Sequence, residues 1–305
     1  MINIPFIKYT KVWVTISALT VLTCITLFIF LGLKLGIDFT GGSLTELTFS
    51  KSIPAVESMQ KTLADLHQPN AVIQKVGDNG YIIRTEFLTE DQHQFILSNL
   101  RAEYQTDGNE IHEENFQTIG SVISSQLRQR AIAAIILVNL GIIIYVAYAF
   151  RGVSRPVASW KYGVLAIIAL IHDVMLVVGV FTLLGHFRGI EIDIGFVVAL
   201  LTVLGYSVTD TIVVYDRIRE NLNHHSAQNF AEMVNMGLNQ TLMRSINTTL
   251  ITLLPLFALY FLGGPTIHNF ALALLIGIAS GAYSSIFIAS PLLVLAQTWR
   301  LGKNA

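Results

Sequence analysis

The chain has 305 residues, of which 53% are hydrophobic and only 13% charged, with a net charge of -1. Soluble domains carry about 25% charged residues, so this balance excludes a soluble globular protein and points to a membrane protein with several spans. A near-neutral chain also gives no case for nucleic acid as a partner, and the single cysteine, Cys24, excludes a disulfide framework or a Cys-based metal site.

Six apolar stretches are long enough to cross ~30 Å of hydrocarbon as helices. They are residues 12–33, 131–150, 161–184, 194–215, 241–262 and 268–296. The first is too long for the apolar region of a cleaved signal and lacks a small-residue cleavage site, so it reads as an anchor that stays. Lys8 and Lys11 precede it, Arg151, Arg155 and Lys161 follow the second span, Arg217 and Arg219 the fourth, and Arg300 and Lys303 the sixth. The short opposite connections carry only Arg188. The positive-inside rule then places both termini in the cytoplasm and residues 34–128 outside. The expected organisation is a cytoplasmic N-terminus and first helix over 1–33, an outer domain over 34–128, a five-helix bundle over 129–296 with a cytoplasmic loop at 216–240, and a tail over 297–305.

Within the outer domain, residues 43–50 alternate as a strand, and 56–66 follow Pro54 with helical spacing. Residues 71–76 and 81–86 are strand-like and separated by Gly77, Asp78, Asn79 and Gly80, a strong hairpin turn. Residues 90–104 are helical again and 110–116 supply a last strand, giving the β-α-β-β-α-β order of a ferredoxin-like domain. The fold class is therefore an α-helical polytopic membrane protein of six transmembrane helices with one α+β ferredoxin-like domain between spans one and two. In the loop at 216–240, Phe230, Met233, Val234, Met236 and Leu238 form a partly amphipathic helix, suited either to the membrane surface or to packing against other helices.

An ionisable group inside a span needs a partner or a task. Asp210 lies in span four, five residues before Tyr215, and Arg244 lies just inside span five, which starts from the same side. Both sit within roughly 5–8 Å of that end, so packing of these antiparallel helices would let the charges meet. A structural salt bridge uses the same geometry. Tyr206, Ser207, Thr209 and Thr211 around Asp210, and Asn239, Gln240, Asn247 and Thr248 around Arg244, suit a hydrated interior in which the acid gains and loses a proton. Span three adds His172 and Asp173, whose side chains leave the helix about 100° apart and so make no ready acid–base dyad, while a buried structural pair stays equally open. No third ligand is spaced for a metal. Ala273, Gly277, Gly281, Ser285 and Ala289 recur every fourth residue as a close-packing stripe. Gly41 and Gly42 give a sharp turn, or a hinge, beyond span one. No Walker A, G-x-S-x-G or H-E-x-x-H motif occurs, so nothing argues for an ATPase or hydrolase.

Four segments closely resemble the SecD/SecF family of protein-export membrane proteins: residues 36–43 (GIDFTGGS), 205–221 (GYSVTDTIVVYDRIREN), 238–246 (LNQTLMRSI) and 270–293 (FALALLIGIASGAYSSIFIASPLL). Their order and spacing fit the whole chain, and the family is similar to the RND transporter superfamily. The resemblance implies a non-enzymatic subunit of the bacterial Sec machinery in the inner membrane, with residues 34–128 periplasmic. It implies SecD, the SecYEG translocon and an unfolded preprotein as partners, membrane lipid around the helices, and late translocation assisted by the proton motive force. No cofactor beyond the gradient is implied, although such a carboxylate can serve Na+ as well. It carries the proton-responsive role to Asp210 and the partner role to Arg244, and puts Asp38, Gly41 and Gly42 in the outer-end signature; beside the resemblance, the residues themselves offer Thr209, Tyr206, His172, Asp173, Asp216 and Arg217 as candidate support. Ser43 for Thr, Thr209 for Asn and Tyr215 for Phe depart from the family pattern, the first two keeping a hydrogen-bonding side chain. The rival readings are a stand-alone proton-coupled pump for a small solute and a passive scaffold of the translocon.

Overall fold

A computed structural model describes residues 4–106, 108–150, 159–224 and 229–302; Arg151, Arg155 and Lys303, on which part of the orientation reading rests, lie outside the described residues. The chain forms two compact units, Leu35–Ile132 and, together, Met1–Lys34 with Ala133–Ala305.

In the first unit, a single turn α2 (Ile37–Thr40), which follows α1 (Thr10–Leu31) in the chain, leads into β1 (Gly42–Phe49), α3 (Val56–Asp65), β2 (Val72–Val76), β3 (Gly80–Thr85), α4 (Glu90–Tyr104) and β4 (Ile111–Ile119). The expected β-α-β-β-α-β order holds, and the strands form one antiparallel sheet ordered β2-β3-β1-β4. Burial alternates along β1, so Leu47 and Phe49 point to one face. There they meet Met59 and Leu63, one helical turn apart on α3, and Leu97 and Leu100 on α4. Thr89 and Gln92 cap α4 reciprocally. Tyr81 is buried in this core and donates its hydroxyl to the Pro54 carbonyl at 2.6 Å. Burial, and secondarily the charge of Glu57, pushes the Tyr81 phenol above its usual value.

Gly41 and Gly42 hold φ of 77° and 113°, and a Cβ on Gly42 would stand 2.7 Å from the Thr85 carbonyl oxygen. The pair is a close-packed entry to the sheet and lies inside this unit.

The second unit contains α1, most of α5 (Ser121–Ala149), α6 (Ser159–Arg188), α7 (Ile194–His224), α8 (Phe230–Leu262), α9 (Pro265–Ser284), a π turn (Ser285–Ala289) and α10 (Ser290–Gly302). Six helical stretches are long and apolar enough to cross a membrane, the last one running from α9 through the π turn into α10. Both α7 and α8 run on where a loop over 216–240 was expected. Hydropathy marks only the apolar part of a helix, whereas Arg217–Glu220 at 2.5 Å and Asp216–Arg219 at 3.8 Å sustain its polar continuation at i,i+3. Ile218, Phe230, Val234 and Leu238 are buried in the bundle core, so the amphipathic stretch packs against helices.

The small-residue stripe explains how closely α9 approaches α7: a Cβ on Gly277 would fall 2.2 Å from Val203, and one on Gly281 2.8 Å from the Ser207 Cβ. The π turn follows from Pro291, which has no N–H for the Phe287 carbonyl. The Ser290 hydroxyl takes up the Ser285 carbonyl at 3.0 Å. At the other end of the chain, Asn239 on α8 both donates to and accepts from the backbone of Ile4, at 2.9 and 2.8 Å, and Asn235 accepts from the Ile7 amide. Phe6 is buried beside Phe287.

Two outcomes are expected. Gly42→Ala should destabilise the α+β unit by about 1–3 kcal/mol through its φ and the Thr85 clash, read as a lower denaturation midpoint of the purified chain. Tyr81 keeps its proton more tightly folded than unfolded, so its contribution is complete below about pH 10 and is lost as pH rises beyond that. Tyr81→Phe should cost about 1 kcal/mol at neutral pH and flatten the alkaline fall in thermal stability.

Candidate functional site

Two carboxylates inside the helix bundle gather five serine hydroxyls from neighbouring elements. Asp173, on α6, is 0% exposed. Its Oδ2 accepts from Ser207 on α7 at 2.6 Å and from Ser284 on α9 at 2.7 Å. Its Oδ1 accepts from Ser280 on α9 at 2.7 Å and lies 3.1 Å from the His172 Nδ1. One acid therefore ties three helices together. His172 is itself buried, with its ring centroid 5.8 Å from that of Tyr283, whose hydroxyl meets Ser17 of α1 at 3.1 Å.

Asp210, on α7, is only partly buried. Ser245 on α8 lies 2.5 Å from both of its oxygens, and Ser285, at the start of the π turn, donates to Oδ2. The two shells adjoin. Ser207 and Asp210 lie three residues apart on α7, hence on one face, while Ser284 and Ser285 are consecutive.

Asp173 can accept four hydrogen bonds as an anion, and four partners surround it. Hydroxyl donors suit either charge state, because a hydroxyl also accepts. Ser284 and Ser285 each have a second acceptor within reach: the Gly281 carbonyl at 3.2 Å and the Ala282 carbonyl at 3.1 Å. If a carboxyl takes up a proton, its serine can turn to the backbone without leaving an orphaned donor.

The expected pairing of Asp210 with Arg244 is corrected. No ion pair joins them among the described residues. Arg244 is exposed on α8, and its neighbour Ser245 faces the acid instead. The helix turns about 100° per residue, so only one of the two can face α7. The buried pairing of His172 with Asp173, left open by the sequence, is present: the Cβ atoms diverge, yet the imidazole reaches back to the carboxylate. Tyr206 meets Thr252 at 3.3 Å, and Thr209 bonds the Gly205 carbonyl on an exposed face, so neither touches Asp210. Asp216 and Arg217 pair with Arg219 and Glu220 on the outside of α7, and Arg217 also bonds Gln240. Asp38 lies in α2, immediately before the glycine turn. The donors that sequence reasoning passed over are Ser245, Ser280 and Ser284. Their signal was present: Ser280 and Ser284 are polar residues at i,i+4 inside an apolar span, and that spacing puts them on one helix face. Among the described residues no group of three metal-ligating side chains forms.

These features define a polytopic helical membrane protein with a polar seam in its interior and an α+β domain inserted between its first two helices. The profile of the "Protein export membrane protein SecD/SecF, C-terminal" family matches residues 99–299, and that of the "SecD/SecF GG Motif" matches residues 26–53. The protein translocase subunit SecF of Thermobaculum terrenum is 41% identical over 95% of this chain and 93% of its own length. The subunit SecDF of Brucella abortus is 35% identical, covering 96% of this chain but 37% of that longer protein. The crystal structure of SecDF from Thermus thermophilus, described as translocon-associated, superposes with a TM-score of 0.83 at 35% identity, covering 98% of this chain and 39% of that one. The chain belongs to the SecD/SecF family of protein-export membrane proteins.

Close packing of α7 on α9 holds the seam together, and this can be tested. Gly281→Val should cost about 1–3 kcal/mol by overpacking against Ser207, read as a lower Tm of the purified chain. Gly205→Ala is the control: a Cβ at that position meets nothing within 4 Å, and its Tm should equal or exceed that of the unaltered chain, since Ala favours a helix interior over Gly.

Proposed function

We propose that this chain is a subunit of a protein translocase, in which proton binding at Asp210 biases the helix bundle and thereby assists late preprotein movement. The observation that carries the reading is the bonding of Asp210. A carboxylate within a membrane-spanning helix receives its hydrogen bonds from Ser245 and Ser285, neutral donors, so no salt bridge among the described residues locks its charge. The names of the relatives supply the translocase. The orientation is that of the Lys and Arg distribution, with both termini cytoplasmic, the α+β domain periplasmic and the helices in the bacterial inner membrane.

Arg244, Thr209, Asn247 and Thr248 lie exposed on α7 and α8 at span depth. Such groups do not face hydrocarbon, and a second membrane half covering them fits the longer SecDF relatives. That half is SecD in this reading, and SecYEG and an unfolded preprotein complete the assembly. Arg244 acts there as a contact to the partner half and as a counter-charge near Asp210 that does not bind it directly. One proton crossing ~100 mV yields ~2.3 kcal/mol, enough to bias an equilibrium a few tens-fold. Work of that size ratchets an unfolded chain but does not unfold a folded one.

The test is export of a secreted reporter into inverted vesicles under an imposed pH or Na+ gradient. Asp210→Asn should abolish gradient-stimulated export while the protein still inserts and assembles, and Ser245→Ala should weaken it less severely. Stimulation by the Na+ gradient alone would reassign the ion. Unaltered stimulation of Asp210→Asn by both gradients would refute the coupling role.

A further inference from the structure

We propose that Asp173 is a second proton-exchanging carboxylate, coupled to Asp210 through the consecutive serines Ser284 and Ser285. Its coupling to Asp210 rests on the reading above, whereas its own exchange of a proton does not.

Asp173 is the most enclosed acid in the bundle, at 0% exposure, and no Lys or Arg pairs with it among the described residues. A cation beside a buried carboxylate would hold it in its ionised form. Here three serines and one imidazole surround it, and each of these partners can bond either form of the acid. The titratable groups facing it are His172 on its own helix, Tyr283 on α9 and, one turn beyond Ser207, Asp210 on α7.

The proton donor is hydronium from the aqueous phase, which is left as water. A proton adds to Oδ2, and the new O–H donates to the oxygen of Ser284. The Ser284 hydrogen turns to the Gly281 carbonyl, already 3.2 Å away. One O–H bond forms, one hydrogen bond reverses and no donor is stranded. Ser284 is the last residue of α9 and Ser285 the first of the π turn. Turning Ser284 therefore acts on the same turn of backbone that presents Ser285 to Asp210. On its far side His172 packs its ring against Tyr283, whose hydroxyl meets Ser17.

pH-difference infrared spectroscopy of the full chain with its membrane partner in lipid nanodiscs reads each carboxyl separately. Asp173→Asn should remove one protonated-carboxyl band that Asp210→Asn retains. Ser280→Ala should shift that band alone. Ser284→Ala should shift it and also displace the midpoint pH of the Asp210 band. A spectrum of Asp173→Asn that superimposes on the wild type overturns the proposal. Should that variant fail to assemble, an unshifted Asp173 band in Ser280→Ala overturns it as well. An Asp210 midpoint unmoved in Ser284→Ala removes the coupling. Loss of no band in Asp210→Asn is a separate outcome that sinks the preceding reading and leaves the Asp173 assignment standing.

Discussion

The bundle depends on how near α9 can come to α7. Serine hydroxyls reach only one bond beyond Cβ, so they satisfy a carboxylate on a neighbouring helix only when the backbones almost touch. Gly277 and Gly281 remove the side chains that would hold them apart, against Val203 and Ser207 respectively. Without that approach Asp173 would be a buried acid with too few donors, a state that costs several kcal/mol. Packing and polar satisfaction are thus one constraint here, because the glycines decide whether the serines can bond.

The two acids show how setting differentiates one functional group. Asp173 is enclosed, saturated and shared among α6, α7 and α9. Asp210 is partly open and held between α8 and the π turn. Their shells meet at the consecutive Ser284 and Ser285 and, along α7, within one turn of helix between Ser207 and Asp210. Rearrangement at either shell therefore meets the other within a few ångströms, along elements that both share.

The α+β domain was legible residue by residue. Alternation marked β1, the Gly77–Gly80 turn marked the hairpin, and the helix expected over 90–104 is Glu90–Tyr104. These signals are local, and local chemistry determines them. The seam was legible only in its acids. Sequence places Asp210 and Arg244 at one depth, yet whether a side chain faces its neighbour is a rotation about the helix axis, and one residue's difference gave the contact to Ser245. Asp173 was undervalued for a similar reason: its donors come from α7 and α9, far away in sequence. The lengths of α7 and α8 were underestimated because hydropathy falls where Asp216, Arg217 and Arg219 begin, although the helix does not.

The grip of Asn239 and Asn235 on the start of the chain involves main-chain atoms of Ile4 and Ile7 only. An amide side chain that donates to a carbonyl and accepts from the same residue's N–H imitates a neighbouring strand, and it is indifferent to which side chain that residue bears. The side chain at position 4 takes no part in that grip, so the leading segment is moored by main-chain geometry alongside the buried ring of Phe6.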